Sequence, residues 1–230
     1  MPPPRSEFDS FADKYDQALQ SGLDLSGEKK DFFAHGRVNI LARLLGTRPL
    51  TRILDYGCGT GSAIPYLRAL PNVADVIGVD ISDKSLDRAR TTWRQPHVEF
   101  HNISALSKLG SFDLAFCNGV FHHIPISERS EAVSQIYRAL KPNGLFAFWE
   151  NNPWNPGTRW VMSRIPFDRD AILLWPKEAR RLLSQAGFEI VSTHFAFIFP
   201  KALGFLRFTE WSLRHLPFGA QYIILARVRS

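Results

Sequence analysis

A glycine-rich turn between an apolar run and a helical pattern is the feature that most constrains the fold. Residues Ile53 to Ser62 read ILDYGCGTGS, with glycines at positions 57, 59 and 61. A helix is predicted to begin near Ile64, because Pro65 suits the first turn of a helix. Glycines let the backbone turn tightly and let a ligand approach where Cβ atoms would collide. The segment therefore predicts a strand, a tight loop and a helix, which together open a βαβ unit.

The same alternation of apolar runs and helical patterns continues along the chain. Strands are predicted at 52–55, 76–79, 98–100, 112–117, 145–149, 189–199 and 221–228. Helices are predicted at 32–45, 64–70, 84–93, 129–140 and 176–186, after a short N-terminal helix that carries Phe8, Phe11, Tyr15 and Leu19 on one face. The last strand is a candidate antiparallel insertion. We expect an α/β fold with a mostly parallel sheet of about seven strands and helices on both faces.

The length of 230 residues suits one domain. We divide it into an N-terminal helical segment (1–46), a central core (47–150) and a variable C-terminal part (151–230). Hydrophobic residues make up 45% and charged residues 22%, which excludes a wholly disordered chain. Two cysteines, Cys58 and Cys117, are too few for a disulfide framework or a four-cysteine zinc site. The spacing of the histidines suggests no metal site.

The first residues contain no apolar stretch of the kind found in secretory signals, and no apolar run is long enough to cross a bilayer. We therefore expect a cytoplasmic protein. The net charge of +6 comes from the last third: residues 151–230 carry 11 Lys and Arg against 5 Asp and Glu, whereas residues 1–150 carry 17 of each. No run of more than two basic residues occurs, so nucleic acid is not an expected partner. Such a basic surplus suits an anionic substrate, a membrane surface or solvent.

Two carboxylates flank the glycine turn and indicate which ligand it binds. Asp80 ends the second predicted strand, where a carboxylate can accept hydrogen bonds from both ribose hydroxyls of an adenosine. Asp55 lies two residues before Gly57 and would repel a pyrophosphate placed on the following helix. The spacing also departs from the dinucleotide pattern, since Ser62 stands where the third glycine would be. A nucleoside cofactor with a cationic amino group and sulfonium fits better than a dinucleotide.

These residues resemble the class I S-adenosylmethionine-dependent methyltransferases. The resemblance extends from about Phe8 to Phe148 and includes four further segments. They are FDSFADKYD at 8–16, GVD at 78–80, SFD with NGVFHH at 111–113 and 118–123, and RALKPNG at 138–144. It implies a Rossmann-like fold, an N-terminal helical lid, S-adenosylmethionine as cofactor and S-adenosylhomocysteine as product.

The resemblance also implies roles for individual residues around the cofactor. Asp55, with Gly57, is expected near the methionine part, Asn118 near its amino group, and Asp80 on the ribose. Asn102, where the family usually has Asp, and Ile103 are expected beside the adenine, and Tyr15 in the lid. The full set of expected cofactor-binding residues is Tyr15, Asp55, Gly57, Gly59, Gly61, Asp80, Ile81, Asn102, Ile103 and Asn118.

Three side chains are candidates for catalysis. His122 and His123 follow the fourth strand, and an imidazole can accept a proton from a hydroxyl or amine near neutral pH. Histidines at this place also pack or hydrogen-bond without a catalytic duty. Glu150 ends the fifth strand and either orients the acceptor or caps a loop.

The acceptor is expected to bind after the fifth strand, where members of this family vary. Trp154, Arg159 and Trp160 are candidate substrate-binding residues, because arginine and tryptophan can hold an anionic or ring-bearing molecule. An irregular lid whose tryptophans cover the core is the alternative. The aromatic segment 195–218 suggests an amphipathic helix that contacts the sheet, a second copy of the chain or a membrane.

The sequence thus predicts an S-adenosylmethionine-dependent methyltransferase that modifies oxygen or nitrogen of a small-molecule acceptor, with an anionic or lipid-linked acceptor as one option. We expect a monomer or a homodimer. The alternative is a catalytically inactive protein that binds the cofactor as a partner or regulatory subunit.

Overall fold

The computed structural model describes residues 27–165 and 171–229. Tyr15 and the predicted helix around it lie outside these ranges. The strands are β1 (Arg52–Tyr56), β2 (Asp75–Asp80), β3 (Val98–Asn102), β4 (Phe112–Asn118), β5 (Leu140–Asn151), β6 (Phe188–Ala196) and β7 (Gln221–Val228). The α-helices are α1 (Lys30–Leu45), α2 (Ile64–Arg68), α3 (Asp83–Thr92), α4 (Ile126–Ala139), α5 (Pro156–Arg164), α6 (Pro176–Gln185) and α7 (Glu210–Leu213). Two 3₁₀ segments span Ile103–Lys108 and Lys201–Thr209.

Within the described ranges, seven strands form one sheet in the order β3-β2-β1-β4-β5-β7-β6. Strands β1 to β5 pair in parallel, and β7 runs antiparallel to both β5 and β6. The predicted mostly parallel, Rossmann-like α/β fold is confirmed, including the antiparallel last strand. The strand order reverses between β1 and β4, and such a switch point opens a crevice at the carboxyl ends of the strands.

The sheet is buried on both faces, as its apolar strands predict. One face carries Phe146, Phe148 and Tyr222 in a core beneath α4 and α6. The other carries Trp149 and Ile223 in a second core beneath α1, α2 and α3. Because neighbouring residues of β5 point to opposite faces, both cores hold this edge of the sheet in place.

At the opposite, amino-terminal edge, Asp113 ties three strands together. Its carboxylate accepts hydrogen bonds from the N–H groups of Thr51 and Arg52, both at 2.9 Å, and pairs with Lys141 at 2.7 Å. Burial opposes its ionisation, but the hydrogen bonds and the Lys141 charge outweigh burial and lower the pKa of Asp113. This carboxylate is structural and lies away from the switch-point crevice.

The chain after β5 differs from its predicted form. Residues 151–168 are predicted to form a loop with short helical pieces, and the helix α5 lies within them, because Asn155 caps it through Thr158 N–H and Pro156 occupies its first turn. The sixth strand ends at Ala196 rather than 199, since Phe197 adopts a φ of 61° and turns the chain. The amphipathic helix expected within 195–218 is instead the 3₁₀ segment followed by the short α7.

None of the helices in the described ranges has both the length and the apolar character needed to cross a membrane. The cytoplasmic location stays a prediction.

Candidate functional site

The glycine turn after β1 is shaped by close packing on one side and open space on the other. Gly57, Gly59 and Gly61 have φ values of 72°, 52° and 80°, which favour glycine. A Cβ on Gly57 would lie 2.3 Å from Val120 Cγ2, whereas one on Gly59 would meet no atom within 4 Å. Both Gly57 N–H and Cys58 N–H donate to Val79 O, which fixes the turn against β2. The turn therefore presents backbone to the crevice, as predicted.

Asp80 connects the end of β2 to this turn. Its two carboxylate oxygens accept hydrogen bonds from Gly59 N–H at 2.8 Å and Ser82 N–H at 2.9 Å. A carboxylate can accept about four hydrogen bonds, so these two are compatible with further bonds from ribose hydroxyls. The geometry places Asp80 where the sequence predicted it, at the carboxyl edge beside the glycine turn.

Asp55 is buried beneath the turn with only 3% of its surface exposed. Burial, and then the charge of Asp80, raise the pKa of Asp55 to about 7. Two carboxylates so close together disfavour an anionic ligand and favour a cationic one, which would also lower the pKa of Asp55. This electrostatic arrangement fits the charge of S-adenosylmethionine and not that of a dinucleotide.

The residues expected around the adenine follow β2 and β3. Ile81 is 41% exposed next to Asp80, and Ile103 is half-buried against the core. Asn102, however, is engaged within the protein: its amide oxygen accepts from Ser104 N–H and Ser104 Oγ, and its Nδ2 donates to Asp83 at 2.8 Å. An adenine contact by Asn102 is therefore limited to an Nδ2 hydrogen, and Asn102 has a clear structural duty as the cap of the 3₁₀ segment.

A cavity of about 460 Å³ opens at the carboxyl edge beside the glycine turn. Ser62, Asn118 and Gly119 line the end nearest the turn. The Oδ1 atom of Asn118 is buried and has no hydrogen-bond partner among the described residues. A buried acceptor of this kind calls for a donor from a ligand, and the ammonium of a methionine group supplies one. Asn118 lines this end of the cavity, and Asp55, Gly59 and Asp80 belong to the adjacent turn and strand ends; these acceptors and the open backbone at Gly59 fit S-adenosylmethionine.

His122 and Glu150 form a buried pair at the same end of the cavity. Nδ1 of His122 lies 2.7 Å from Glu150 Oε2, and the side chains are 3% and 0% exposed. Glu150 also accepts hydrogen bonds from Phe121 N–H at 2.8 Å and Asn151 N–H at 3.3 Å. Burial opposes ionisation of Glu150, but the charge and hydrogen bond of His122 outweigh burial, so the pKa of Glu150 is lowered. An ionised Glu150 requires that His122 donate through Nδ1, so Nε2 is the basic nitrogen of the neutral imidazole.

His123 also lines the cavity, with its ring centroid 4.1 Å from that of His122. The structure thus brings both sequence-predicted histidines to the cavity and assigns Glu150 a definite partner, His122. The two cysteines lie in the core, where burial raises the pKa of both thiols. Among the residues the structure describes, no three His, Cys, Asp or Glu side chains are grouped as metal ligands.

The predicted acceptor residues lie elsewhere. Trp154 packs edge-on against Trp175 with the ring centroids 5.5 Å apart, and Trp160 lies beneath the guanidinium of Arg164 at 4.1 Å. Arg159 is exposed on α5. None of these three lines the cavity described above, because they occupy the outer surfaces of α5 and the preceding turn, while Gly157, Thr158, Val161 and Met162 face inward.

Sequence reasoning missed several residues that line the cavity. They are Arg37 on α1, Asn151 at the end of β5, Phe197 and Arg207 after β6, and Gln221 at the start of β7. The strand-end residues could have been found from the rule that ligands bind at the carboxyl edge of such a sheet. Arg37 and Arg207 could not, since nothing in a helical pattern shows which cation turns toward a cavity.

Comparisons with known proteins agree with this geometry. A family model described as a methyltransferase domain matches residues 53–144. A curated methyltransferase of Synechocystis sp., itself uncharacterised, is 29% identical over 155 residues, which are 65% of this chain and 72% of the relative. The 27-O-demethylrifamycin SV methyltransferase of Amycolatopsis mediterranei is 30% identical over 153 residues, or 61% of this chain but only 55% of the relative.

A solved structure shares the whole fold. The magnesium protoporphyrin IX methyltransferase of Synechocystis PCC 6803, crystallised with S-adenosylhomocysteine, has a TM-score of 0.64, 21% identity and 98% coverage of both chains. The family model covers the glycine turn, and the solved structure covers 98% of this chain. Residues 53–144 of this chain thus match a methyltransferase domain, and the chain as a whole shares the fold of solved S-adenosylmethionine-dependent methyltransferases.

Proposed function

We propose that the protein methylates an oxygen or nitrogen of a small-molecule acceptor held in the cavity, with His122 as the general base. The observation that carries this proposal is the buried His122–Glu150 pair at the end of the cavity beside the glycine turn. The rifamycin-modifying relative is named for methylation of a small molecule at oxygen, which supports an acceptor of this class.

The cofactor would be held by side chains from three strand ends. Asp80 would accept the ribose hydroxyls, Ile81 and Ile103 would flank the adenine, and Asn118 Oδ1 would accept from the methionine ammonium. Asp55 would contribute negative charge beneath the glycine turn. S-adenosylmethionine supplies an activated methyl group bonded to a sulfonium that leaves as a neutral thioether.

His122 would act on the acceptor and Glu150 on His122. As the acceptor oxygen forms its new bond to carbon, its proton would pass to Nε2 of His122. Glu150 holds the imidazole through Nδ1 and stabilises the imidazolium that forms, so it is a positioning residue.

The proposal is tested by measuring S-adenosylhomocysteine formation with a panel of phenols, hydroxy acids and amines. We expect His122→Ala to lower kcat by ~10²-fold or more while the calorimetric affinity for S-adenosylhomocysteine is unchanged. His123→Ala should lower kcat less, because Glu150 is hydrogen-bonded to His122. The matched control is His97→Asn, which removes an exposed histidine paired with Asp75 at the opposite edge and should leave kcat unchanged.

Glu150→Gln separates positioning from simple packing. Removal of a negative charge beside His122 disfavours the imidazolium, so the low-pH limb of the pH–rate profile should move to lower pH as kcat falls. If kcat is the same in the wild type and His122→Ala, the base assignment is wrong. If cofactor binds but no acceptor yields product, a binding or regulatory protein is the better interpretation.

A further inference from the structure

The cavity continues well beyond the end where the methyl group would be transferred. Asn118 lies at the end of β4, Asn151 at the end of β5, Gln221 at the start of β7, and Phe197 just beyond β6. The register pairs Asn151 with Gln221 and Gln221 with Ala196, so all four positions share one edge of the sheet. Three strand spacings separate β4 from β6, which amounts to roughly 14 Å. The cavity is therefore an elongated trough along this edge.

Cations outnumber carboxylates along the trough. Lys30, Arg37 and Arg207 line it, against Glu28 as the single acidic residue of the described lining. Arg37 is held at mid-length, because its Nε donates to Gln221 Oε1 at 2.8 Å and Gln221 Nε2 donates to Asn151 Oδ1 at 3.0 Å. Fixed positive charge in a partly enclosed site favours an anionic ligand.

Arg207 marks the far end of the trough. Its Nε donates to Phe199 O at 3.1 Å, and its Nη1 pairs with Glu28 at 2.9 Å. Its Nη2 is buried and has no hydrogen-bond partner within the described ranges. The guanidinium carbon lies 4.4 Å from the centroid of the Phe32 ring, which supports the group without satisfying that donor. A buried, unsatisfied guanidinium nitrogen is costly unless an acceptor reaches it.

Apolar side chains form the walls between the two ends. Phe33 and Phe197 pack edge-on with their ring centroids 5.1 Å apart, and Met162, Val161 and Ile165 lie on the α5 side. A wall of this kind accommodates an aromatic or acyl body and offers it few hydrogen bonds.

From the trough, its cations and the unsatisfied Nη2, we infer that the acceptor is an elongated amphiphile with an anionic group at the end remote from the methylated atom. Arg207 binds this anion, a carboxylate or phosphate, through Nη2. Arg37 adds positive charge at mid-length of the trough. The apolar body lies between Phe33, Phe197 and α5, and the nucleophilic atom reaches His122. This inference rests on the proposed function, since it deepens the description of the same site.

Three probes test it by calorimetric titration in the presence and absence of S-adenosylhomocysteine. They are 4′-hydroxybiphenyl-4-carboxylate, its neutral methyl ester of nearly the same shape, and the shorter 4-hydroxybenzoate. The long carboxylate should bind at least ten times more tightly than either of the others, because it alone spans the trough and carries the charge. The preference should appear with the wild-type protein, so it does not depend on any variant folding.

Arg207→Met keeps the length of the side chain and removes the charge. We expect it to reduce the preference for the carboxylate over the ester to less than threefold, while affinity for S-adenosylhomocysteine stays unchanged. Arg207→Lys restores the charge without the planar fork and should recover part of the preference. Arg181→Met removes an exposed arginine of α6 outside the trough and should preserve the preference.

Equal affinity of the wild type for carboxylate and ester, an unaltered preference in Arg207→Met, or no binding of any probe would each overturn the inference. Binding of S-adenosylhomocysteine is read in the same titrations and separates the two proposals. Its failure refutes the proposed function, whereas its success without discrimination among the probes refutes only the anionic acceptor.

Discussion

The residues at the end of the cavity beside the glycine turn owe their properties to burial combined with a specific neighbour. Asp55 and Glu150 are both buried carboxylates at strand ends, yet the pKa of Asp55 is raised to about 7 while that of Glu150 is lowered. The difference lies in their neighbours: Asp55 faces the like charge of Asp80, whereas Glu150 hydrogen-bonds to His122. Asp55 is thus suited to respond to a cationic ligand, and Glu150 to hold an imidazole.

Asp55 should make the stability of the ligand-free protein depend on pH. Its pKa is about 7 in the folded chain against 3.8 in the unfolded one, so the folded state holds the extra proton between these values. The contribution is complete below pH 3.8 and is lost as pH rises through about 7, with a slope of up to ~1.4 kcal/mol per pH unit in the free energy of unfolding. Urea denaturation from about pH 5 to about pH 8 measures it.

Asp55→Asn supplies the reference for that experiment. The difference in the free energy of unfolding between variant and wild type should grow in favour of the variant as pH rises toward 7, because the variant has no charge to bury. A difference that is constant across this range would contradict the assignment of a raised pKa to Asp55. In the wild type, S-adenosylmethionine should bind more weakly below about pH 7, where a proton competes with it.

At the scale of elements, the glycine turn and the strand ends around it carry the site. The turn is tight because the N–H groups of Gly57 and Cys58 both donate to Val79 O. Position 57 must also lack a Cβ atom, because the Val120 side chain packs directly on Gly57. If a left-handed φ were the only requirement, some substitutions of these glycines would be tolerated. Close packing on one side of the turn and a ligand on the other would exclude a larger side chain.

A pair of alanine substitutions separates these two demands. Gly59→Ala places its Cβ in open space and should cost only the left-handed backbone term, about 1–2 kcal/mol of stability. Gly57→Ala adds an overlap with Val120 at 2.3 Å and should cost a further 1–3 kcal/mol or so. Urea denaturation of the ligand-free variants measures the loss of stability in each. Equal losses would show that the Val120 side chain moves aside without a cost in stability.

The fold, and the position of Asp55 and Asp80 around the glycine turn, could be predicted from the sequence because they rest on local patterns. Apolar runs, the glycine spacing and the positions of Asp55 and Asp80 are visible in a linear chain, and strand ends in a parallel sheet gather at one edge. The residues that line the rest of the cavity could not be predicted in this way. Arg37, Arg207 and Gln221 come from three segments that are far apart in the sequence. The spacing of Trp154 and Trp160 does not indicate whether their rings face a cavity or the outer surface.

At the scale of the whole molecule, the two edges of the sheet carry different groups of residues. Residues that hold strands together lie at the amino edge, and the candidate site lies at the carboxyl edge. Asp113 and Lys141 join strands at the amino edge, while the glycine turn, the His122–Glu150 pair and the trough lie at the carboxyl edge. The antiparallel β7 brings Gln221 beside Asn151 and so extends the carboxyl edge past the parallel strands. This extension lengthens the cavity away from the glycine turn.

The cofactor site can be tested directly by calorimetric titration of the wild type, Asp80→Asn and Asp113→Asn with S-adenosylmethionine and S-adenosylhomocysteine. We predict saturable one-to-one binding that weakens by about 1–3 kcal/mol in Asp80→Asn, since ribose hydroxyls lose a charged acceptor. Asp113→Asn lowers stability at neutral pH but should leave both affinities unchanged, because it lies at the other edge. No binding of either ligand by the folded wild type, or equal weakening in both variants, would contradict the assignment of the cofactor site.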